Sequence, residues 1–164
     1  MMPGEQYRES LNDGRETYFE GQQVVDLPGH PILGTTVDSA AAGYDRFYDP
    51  APGAVGAFMA VPGSAAELRE QVELHESVDL LTHVTYASLM TLLTAADRIE
   101  GQLPDNAARI RAYVKDAQVR DVRITQCITD AKGDRSRRPS QQDDPDAYVR
   151  VIDRREDGVV IRGA

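Results

Sequence analysis

The sequence predicts a mainly α-helical amino-terminal domain, residues 1–120, followed by the first strands of a β-domain, residues 121–164. Two observations support this fold class. Apolar residues recur at helical spacing from Ser64 to Asp116, whereas after Arg120 apolar and polar residues alternate with the period of a strand. A chain of 164 residues with 41% hydrophobic content has room for one such domain and part of a second.

Within the helical part, the sequence predicts the following elements in chain order. Residues 5–13 are expected to form a short helix that ends at Gly14. Residues 17–19 and 23–25 are the expected strands of a small hairpin, with residues 20–22 between them. A second helix covers residues 36–47. Ser64 and Glu67 have the spacing of a capping box, which predicts a helix start there. A long helix covers residues 78–100, and a further helix, 105–116, has Pro104 in its first turn.

The long helix is apolar almost all round, which is typical of a central, buried helix. The β-part begins with an alternating segment and continues with a hairpin whose strands cover residues 148–152 and 159–161. In the alternating segment Val122, Ile124 and Gln126 are expected on one face, with Arg123, Thr125 and Cys127 on the other. Glu156, Asp157 and Gly158 close the predicted hairpin.

Composition excludes several classes of function. The net charge of -9 argues against a nucleic-acid partner, because phosphate neutralisation dominates that affinity. No apolar run approaches the ~20 residues of a membrane span, and the polar first residues do not form a secretory signal. Cys127 is the single cysteine, which excludes an internal disulfide. We therefore expect a cytoplasmic protein with no membrane partner.

One segment opposes the overall acidity. Lys132, Arg135, Arg137 and Arg138 place four cations within seven residues, opposed there only by Asp134. Beside them, a glycine permits a close backbone approach, and Ser, Thr and Gln supply neutral hydrogen-bonding groups. Such a run fits either a solvated basic loop or the site of a phosphorylated, planar cofactor.

Longer motifs favour the second interpretation. The chain reads T-D-x-K-G-D-R, then P-S-x-Q-x-D-P-D, then R-E-D-G-V-V-I-R-G-A. With the opening segment EQYRESLNDGRETYFEGQQVVDLPGHP, these motifs resemble the 4-hydroxyphenylacetate 3-hydroxylase / 4-hydroxybutyryl-CoA dehydratase family over nearly the whole chain. The resemblance implies an acyl-CoA-dehydrogenase-like fold and FAD as cofactor. The cofactor-binding residues it implies are Ile128, Thr129, Asp130, Lys132, Gly133, Asp134, Arg135 and Gln142.

The same resemblance implies two catalytic residues. Tyr86 falls where hydroxylases carry a substrate-contacting tyrosine, although Thr82 replaces the arginine expected near it. A core tyrosine with a satisfied hydroxyl is the alternative. Gln126 falls where hydroxylases place a histidine on the substrate phenol, and glutamine cannot exchange a proton there. His83 is the nearby substitute, while His75 and His83 are too far apart in sequence to share a metal on one helix face.

Three functions are compatible with the sequence. The leading one is the amino-terminal part of a two-component aromatic-ring monooxygenase, with reduced FAD from a partner flavin reductase and a homotetramer as the full-length assembly. The second is a 4-hydroxybutyryl-CoA dehydratase-like lyase or isomerase acting on an acyl-CoA. The K-G-D-R loop favours it, but the long helix lacks the cysteines of that branch's iron–sulfur cluster, so we expect no metal. The third is a truncated, non-catalytic fragment.

The carboxyl end bears on the third alternative. The run V-V-I-R-G-A has an apolar strand pattern and stops without a cap or closing element. Family members continue beyond it. The sequence therefore predicts an amino-terminal piece of a longer enzyme.

Overall fold

A computed structural model describes residues 1–128 and 133–163. The chain divides into two units, Met1–Thr125 and Gln126–Ala164. Its mostly helical first part and strand-forming last part confirm the predicted fold class. The described helices are α1 Gly4–Ser10, α2 Leu33–Phe47, α3 Ala65–His75, α4 Leu80–Ile99 and α5 Pro104–Val119. The described strands are β1 Thr17–Phe19, β2 Gln22–Val24, β3 Arg150–Arg155 and β4 Gly158–Arg162. None of these helices is long and apolar enough to cross a membrane.

Local side-chain chemistry explains where the helices begin. The Ser64 hydroxyl accepts a hydrogen bond from the Glu67 amide, 3.2 Å away, which confirms the predicted cap of α3. Glu67 does not complete the predicted box on Ser64, because its carboxylate accepts from the Gly63 amide at 2.7 Å. Before α2, Nδ1 of His30 accepts from the amides of Ile32 and Leu33, at 3.2 and 3.1 Å.

The core of the first unit lies where α4 and α5 meet a 3₁₀ turn, Ala57–Met59. Phe58 and Met59 of this turn are fully buried, although the sequence around them is rich in glycine and proline. The other fully or almost fully buried members of this cluster are Leu89, Val114 and Ala117. The carboxamide of Gln118 donates to the Met59 carbonyl at 2.7 Å and attaches the turn to α5.

The sequence predicts a central helix buried almost all round, whereas α4 buries only part of its surface. Its buried residues are mostly small and include Thr82, Thr85 and Ser88, whereas Leu80 is 76% exposed. The hydroxyls of Thr85 and Ser88 donate to the carbonyls of Leu81 and Val84, one turn earlier, at 2.8 and 2.7 Å. Because these hydroxyls are satisfied within the helix, short polar side chains can be buried and neighbouring elements can approach closely.

The prediction of a strand directly after residue 120 is wrong, because residues 121–128 form no strand in the structure. Instead, the Val122 amide donates to the Ala117 carbonyl at 2.9 Å, and the Ile124 amide donates to Thr85 Oγ1 at 2.9 Å. Arg123 does not alternate to an exposed face, since only 5% of its side chain is exposed. An extended segment held by helices satisfies its amides without a partner strand.

The second unit contains the predicted hairpin. Strands β3 and β4 pair antiparallel, with a bulge where Val151 pairs with Ile161 and Asp153 with Val160. The hairpin prediction is confirmed, and β3 begins two residues later than expected, at Arg150. Asp146 holds its open end, accepting from Arg150 Nη2 and lying against Arg162 Nε, each at 2.7 Å.

Candidate functional site

The basic loop of the second unit, described in the structure over residues 133–142, takes its shape from the side chain of Gln142. The Asp134 amide donates to Gln142 Oε1 at 2.8 Å, and Gln142 Nε2 donates to the Asp134 carbonyl at 2.8 Å. A side-chain amide that makes both bonds imitates the paired backbone bonds of an antiparallel ladder. Gln142 therefore closes the loop that begins at Asp134.

Gly133 is required for this closure. A Cβ atom built on Gly133 would lie 2.6 Å from Gln142 Oε1 and 3.1 Å from Cε2 of Tyr148. The first distance is shorter than van der Waals contact allows. The close backbone approach that the sequence predicts at this glycine is thus made to Gln142 and Tyr148 within the unit.

Two carboxylates neutralise the arginine that follows. Asp134 Oδ1 accepts from the amide and hydroxyl of Ser136, at 2.9 and 2.6 Å, and these hydrogen bonds lower the pKa of Asp134. Asp134 Oδ2 lies 3.2 Å from Arg137 Nε, and Asp143 Oδ1 lies 2.7 Å from Arg137 Nη1. Arg137 is therefore already paired.

Arg135 and Arg138 are the other arginines of the loop. Both are exposed, and neither forms an ion pair with any of the described residues. None of those residues neutralises their positive charge through an ion pair. Ile128, another predicted cofactor residue, is 81% exposed.

The predicted cofactor residues therefore fall into three groups. Gly133, Asp134 and Gln142 are brought together, as the pairs above show. Ile128 and Arg135 are exposed. Thr129, Asp130 and Lys132 lie outside the described residues. The role of all of them in cofactor binding stays a prediction.

Tyr86, in the first unit, lines a cavity of about 290 Å³ along α3 and α4. Its ring lies 4.3 Å from the ring of His75, between centroids, and His75 lies 5.8 Å from His83. The cavity is lined by Leu68, Gln71, Val72, His75, Glu76, His83 and Tyr86. Tyr86 is half-buried and His83 is exposed, so His83 lies at the rim.

Gln71 and His75, which line this cavity, carry buried polar atoms. From the sequence only His75 was considered, and only as a metal ligand. Nδ1 of His75 lies 2.7 Å from the Gln71 carbonyl, and Nε2 of Gln71 donates to the Ala57 carbonyl at 2.8 Å. The remaining atoms, His75 Nε2 and Gln71 Oε1, are buried and have no hydrogen-bond partner among the described residues. Their spacing of four residues predicts one shared face of α3, but no sequence pattern shows that these atoms lack a partner.

Thr82 lies where the family resemblance implies an arginine, and its role in the structure is to cap a helix. Its amide and hydroxyl donate to the two oxygens of Asp79, at 2.9 and 2.7 Å, and this caps α4. Burial acts to raise the pKa of Asp79, but the hydrogen bonds from Thr82 and nearby amides outweigh it and lower that pKa. Thr82 is neutral and buried, so it does not replace the cation that an arginine would supply.

Gln126, the second predicted catalytic residue, is exposed at the start of the second unit. Cys127 beside it is an exposed free thiol. No cluster of metal-ligating side chains occurs within residues 1–128 and 133–163. The roles of Tyr86 and Gln126 in catalysis stay predictions.

A family model and individual relatives of this chain point to the same protein family. The family model described as 4-hydroxyphenylacetate 3-hydroxylase N terminal matches residues 3–164. The chain is 26% identical to the 4-hydroxybutyryl-CoA dehydratase/vinylacetyl-CoA-Delta-isomerase of Clostridium aminobutyricum, over 100% of this chain and 38% of that protein. It is 28% identical to the oxygenase component of 4-nitrophenol 2-monooxygenase from a Rhodococcus species, over 99% of this chain and 34% of that protein.

A solved structure shows the same fold. The oxygenase component of 4-hydroxyphenylacetate 3-monooxygenase, complexed with FAD and 4-hydroxyphenylacetate, superposes with a TM-score of 0.72 at 23% identity. The match covers 99% of this chain and 37% of that one. The chain thus spans little more than a third of the length of these proteins.

Proposed function

We propose a function from one premise: this chain belongs to the 4-hydroxyphenylacetate 3-hydroxylase family, whose amino-terminal model matches residues 3–164. We propose that the chain is the amino-terminal part of the oxygenase component of a two-component, FAD-dependent aromatic-ring monooxygenase. Its substrate is a small phenolic compound, and a separate flavin reductase supplies the reduced cofactor. A cytoplasmic location and a homo-oligomeric full-length enzyme belong to the same proposal.

The cofactor part of this proposal is carried by one observation, the two unpaired arginines of the basic loop. In a chain of net charge -9, Arg135 and Arg138 remain exposed and without ion pairs in the described residues. Guanidinium groups bind phosphate oxygens through paired, charge-assisted hydrogen bonds. We expect these two side chains to hold the diphosphate of FAD.

Gln142, Gly133 and Asp134 support the arginines by giving their loop one shape. The two bonds between Gln142 and the Asp134 backbone fix the loop before any ligand arrives. A preorganised site loses less conformational entropy when it binds. Bound FAD supplies the redox chemistry with dioxygen, and the protein orients the flavin against the substrate.

A second candidate is an acyl-CoA lyase or isomerase. The 26% identity to the clostridial dehydratase over the whole chain favours it. The single cysteine opposes it, since Cys127 is exposed and does not lie on α4, where that branch places cluster ligands. Binding of a CoA thioester would distinguish this candidate, because the phenolic reading predicts none.

Flavin retention after desalting tests the proposal. The chain is loaded with FAD, passed through a desalting column and examined for flavin absorbance. We expect the chain to keep flavin, Arg135→Ala to lose most of it, and Arg109→Ala to keep it. Arg109 is the matched control because it is an exposed arginine on α5 in the first unit.

Two results would contradict the proposal. Equal retention by Arg135→Ala and the parent chain would remove Arg135 from the cofactor site. Loss of flavin by the parent chain itself would favour the third alternative, a fragment that binds no cofactor.

A further inference from the structure

The chain contains two Asp–Gly pairs, Asp13–Gly14 and Asp157–Gly158, and the structure holds them differently. An Asp–Gly pair can rearrange spontaneously, because glycine has no side chain to shield its amide nitrogen from the carboxyl group before it. The reaction needs a carboxyl group that is protonated and free to rotate onto that amide. The surroundings of each aspartate therefore decide which pair reacts.

Arg15 holds the carboxylate of Asp13. Asp13 Oδ1 accepts from the Arg15 amide at 3.1 Å and from Arg15 Nε at 2.8 Å, and Asp13 Oδ2 accepts from Arg15 Nη2 at 2.5 Å. The side-chain hydrogen bonds from Arg15 lower the pKa of Asp13 to about 2, so this carboxyl group is almost never protonated near neutral pH. Both requirements of the reaction are thus opposed at Asp13.

Asp157 has no such partner. It lies with Glu156 in the two-residue turn between β3 and β4, where it is exposed. Its carboxylate forms no hydrogen bond or ion pair with any residue that the structure describes. A Cβ atom built on Gly158 would meet no heavy atom within 4 Å beyond its chain neighbours. The Asp157 carboxyl group can therefore rotate, and the space around the next residue is open.

The hairpin that carries this turn constrains it weakly. Strand β3 is exposed at every residue, and β4 at every residue except Val160. A two-stranded hairpin without a packed face is marginally stable in water, so its turn opens by local fluctuation. Opening frees Gly158 from its pairing with Arg155 and lets its nitrogen approach Cγ of Asp157.

We infer that Asp157–Gly158 is a modification site, at which the chain rearranges spontaneously through a succinimide to isoaspartate, whereas Asp13–Gly14 is protected. The Gly158 nitrogen bonds to Asp157 Cγ, the bond from Cγ to the carboxyl hydroxyl breaks, and the hydroxyl leaves as water with the amide proton. Water then adds to the main-chain carbonyl of the five-membered ring, and the ring opens there. The backbone now runs through the side-chain carbons. The inference does not depend on the proposed function.

The product changes the hairpin. It adds one methylene group to the backbone of a turn of two residues, so the pairing of Arg155 with Gly158 cannot be kept in its present register.

Two substitutions provide matched controls. Gly158→Ala places a methyl group beside the attacking nitrogen, and alanine fits there because its Cβ meets open space and Gly158 does not have a positive φ. Arg15→Ala removes the guanidinium that holds Asp13 and leaves the hairpin as it is.

The test measures isoaspartate at both pairs in the whole chain. The protein is incubated at neutral pH and physiological temperature and digested with trypsin, and isoaspartyl peptides are identified by electron-transfer fragmentation. Residues 9–15 and 156–162 form separate peptides, one for each pair. We expect isoaspartate to accumulate at least about tenfold faster at position 157 than at position 13, because release of Asp13 breaks charge-assisted hydrogen bonds.

The variants should separate the two causes. We expect Gly158→Ala to remove most of the product at position 157, and Arg15→Ala to raise the rate at position 13 about tenfold. The same incubation in urea releases both pairs, so their rates should become similar.

Three results would overturn the inference. The first is an equal rate at the two pairs in the folded parent chain, and the second is the absence of isoaspartate at position 157. The third is a difference that persists in urea, which would assign it to the neighbouring residues in the sequence and not to Arg15 and the turn.

Discussion

Asp121 and Arg123 form a buried ion pair at the carboxyl end of the first unit. The Asp121 side chain is fully buried, 5% of the Arg123 side chain is exposed, and Arg123 Nη1 donates to Asp121 Oδ1. The Arg123 guanidinium lies 4.0 Å from the ring centroid of Tyr44 and 4.2 Å from that of Phe58. Burial raises the pKa of Tyr44 to about 12, so that ring stays neutral beside the cation. The pair therefore joins α2, the 3₁₀ turn and the segment after α5.

Asp121→Ala should destabilise the chain strongly. Removing one partner leaves the buried charge of Arg123 without compensation, which costs about 3–5 kcal/mol. Urea unfolding measures the free energy of unfolding. Asp116→Ala is the control, because Asp116 pairs with Arg120 on the exposed surface of α5 and such a pair contributes about 0.3–0.5 kcal/mol. Similar losses in the two variants would mean that the buried pair contributes no more than an exposed one.

His30→Ala should weaken the start of α2. Nδ1 of His30 accepts from two amides there, and loss of such a cap costs about 1 kcal/mol. His30→Asn should recover part of this loss, since the asparagine carbonyl is also a good cap. Urea unfolding of the two variants checks the order. If alanine and asparagine are equally destabilising, the capping role of His30 is wrong.

Gln142→Ala should open the basic loop. The Asp134 amide loses its acceptor at 2.8 Å, so its hydrogen exchange should accelerate about tenfold. Gln141→Ala is the control, because the Gln141 carboxamide accepts from Arg138, at 3.3 Å, and not from Asp134. Hydrogen exchange followed by NMR measures the exchange rates of the Asp134 and Arg138 amides. An unchanged rate at Asp134 in Gln142→Ala would show that another group protects it.

Ser136→Ala should raise the pKa of Asp134 towards its ordinary value, because the Ser136 hydroxyl bond is the largest cause of its depression. The folded pKa is below the unfolded one. The stabilising contribution of Asp134 is therefore present above the unfolded pKa and is lost as the pH falls through the folded pKa. An NMR titration of the Asp134 carboxyl carbon measures the change. A pKa that is the same in both proteins would assign the depression to other groups.

Sequence reasoning succeeded where the interactions are local. The Ser64 cap and the β3–β4 hairpin depend on residues close together in the chain, and both were predicted. It failed at residues 122–127, because alternation fits an extended segment held by helix side chains as well as a strand. The burial of Phe58 in a segment rich in glycine and proline depends on contacts with distant helices, which periodicity does not report.

The same distinction, between local patterns and three-dimensional contacts, applies to the candidate sites. The basic loop was found because its charge contrasts with the acidic chain, whereas the pairing of Gln142 with Asp134 depends on backbone geometry that no pattern reveals. At the α3–α4 cavity Tyr86 was identified by resemblance. That Gln71 Oε1 and His75 Nε2 have no hydrogen-bond partner among the described residues became visible only in the structure.

The central claim is that the loop arginines hold the diphosphate of FAD. The most direct measurement compares the affinities of the chain for FAD and for riboflavin, which has the same ring and no phosphate. We predict that FAD binds at least about tenfold more tightly, and that the preference disappears in the Arg135→Ala/Arg138→Ala double variant. Equal affinity for FAD and riboflavin in the parent chain, or an unchanged preference in the double variant, would contradict the account.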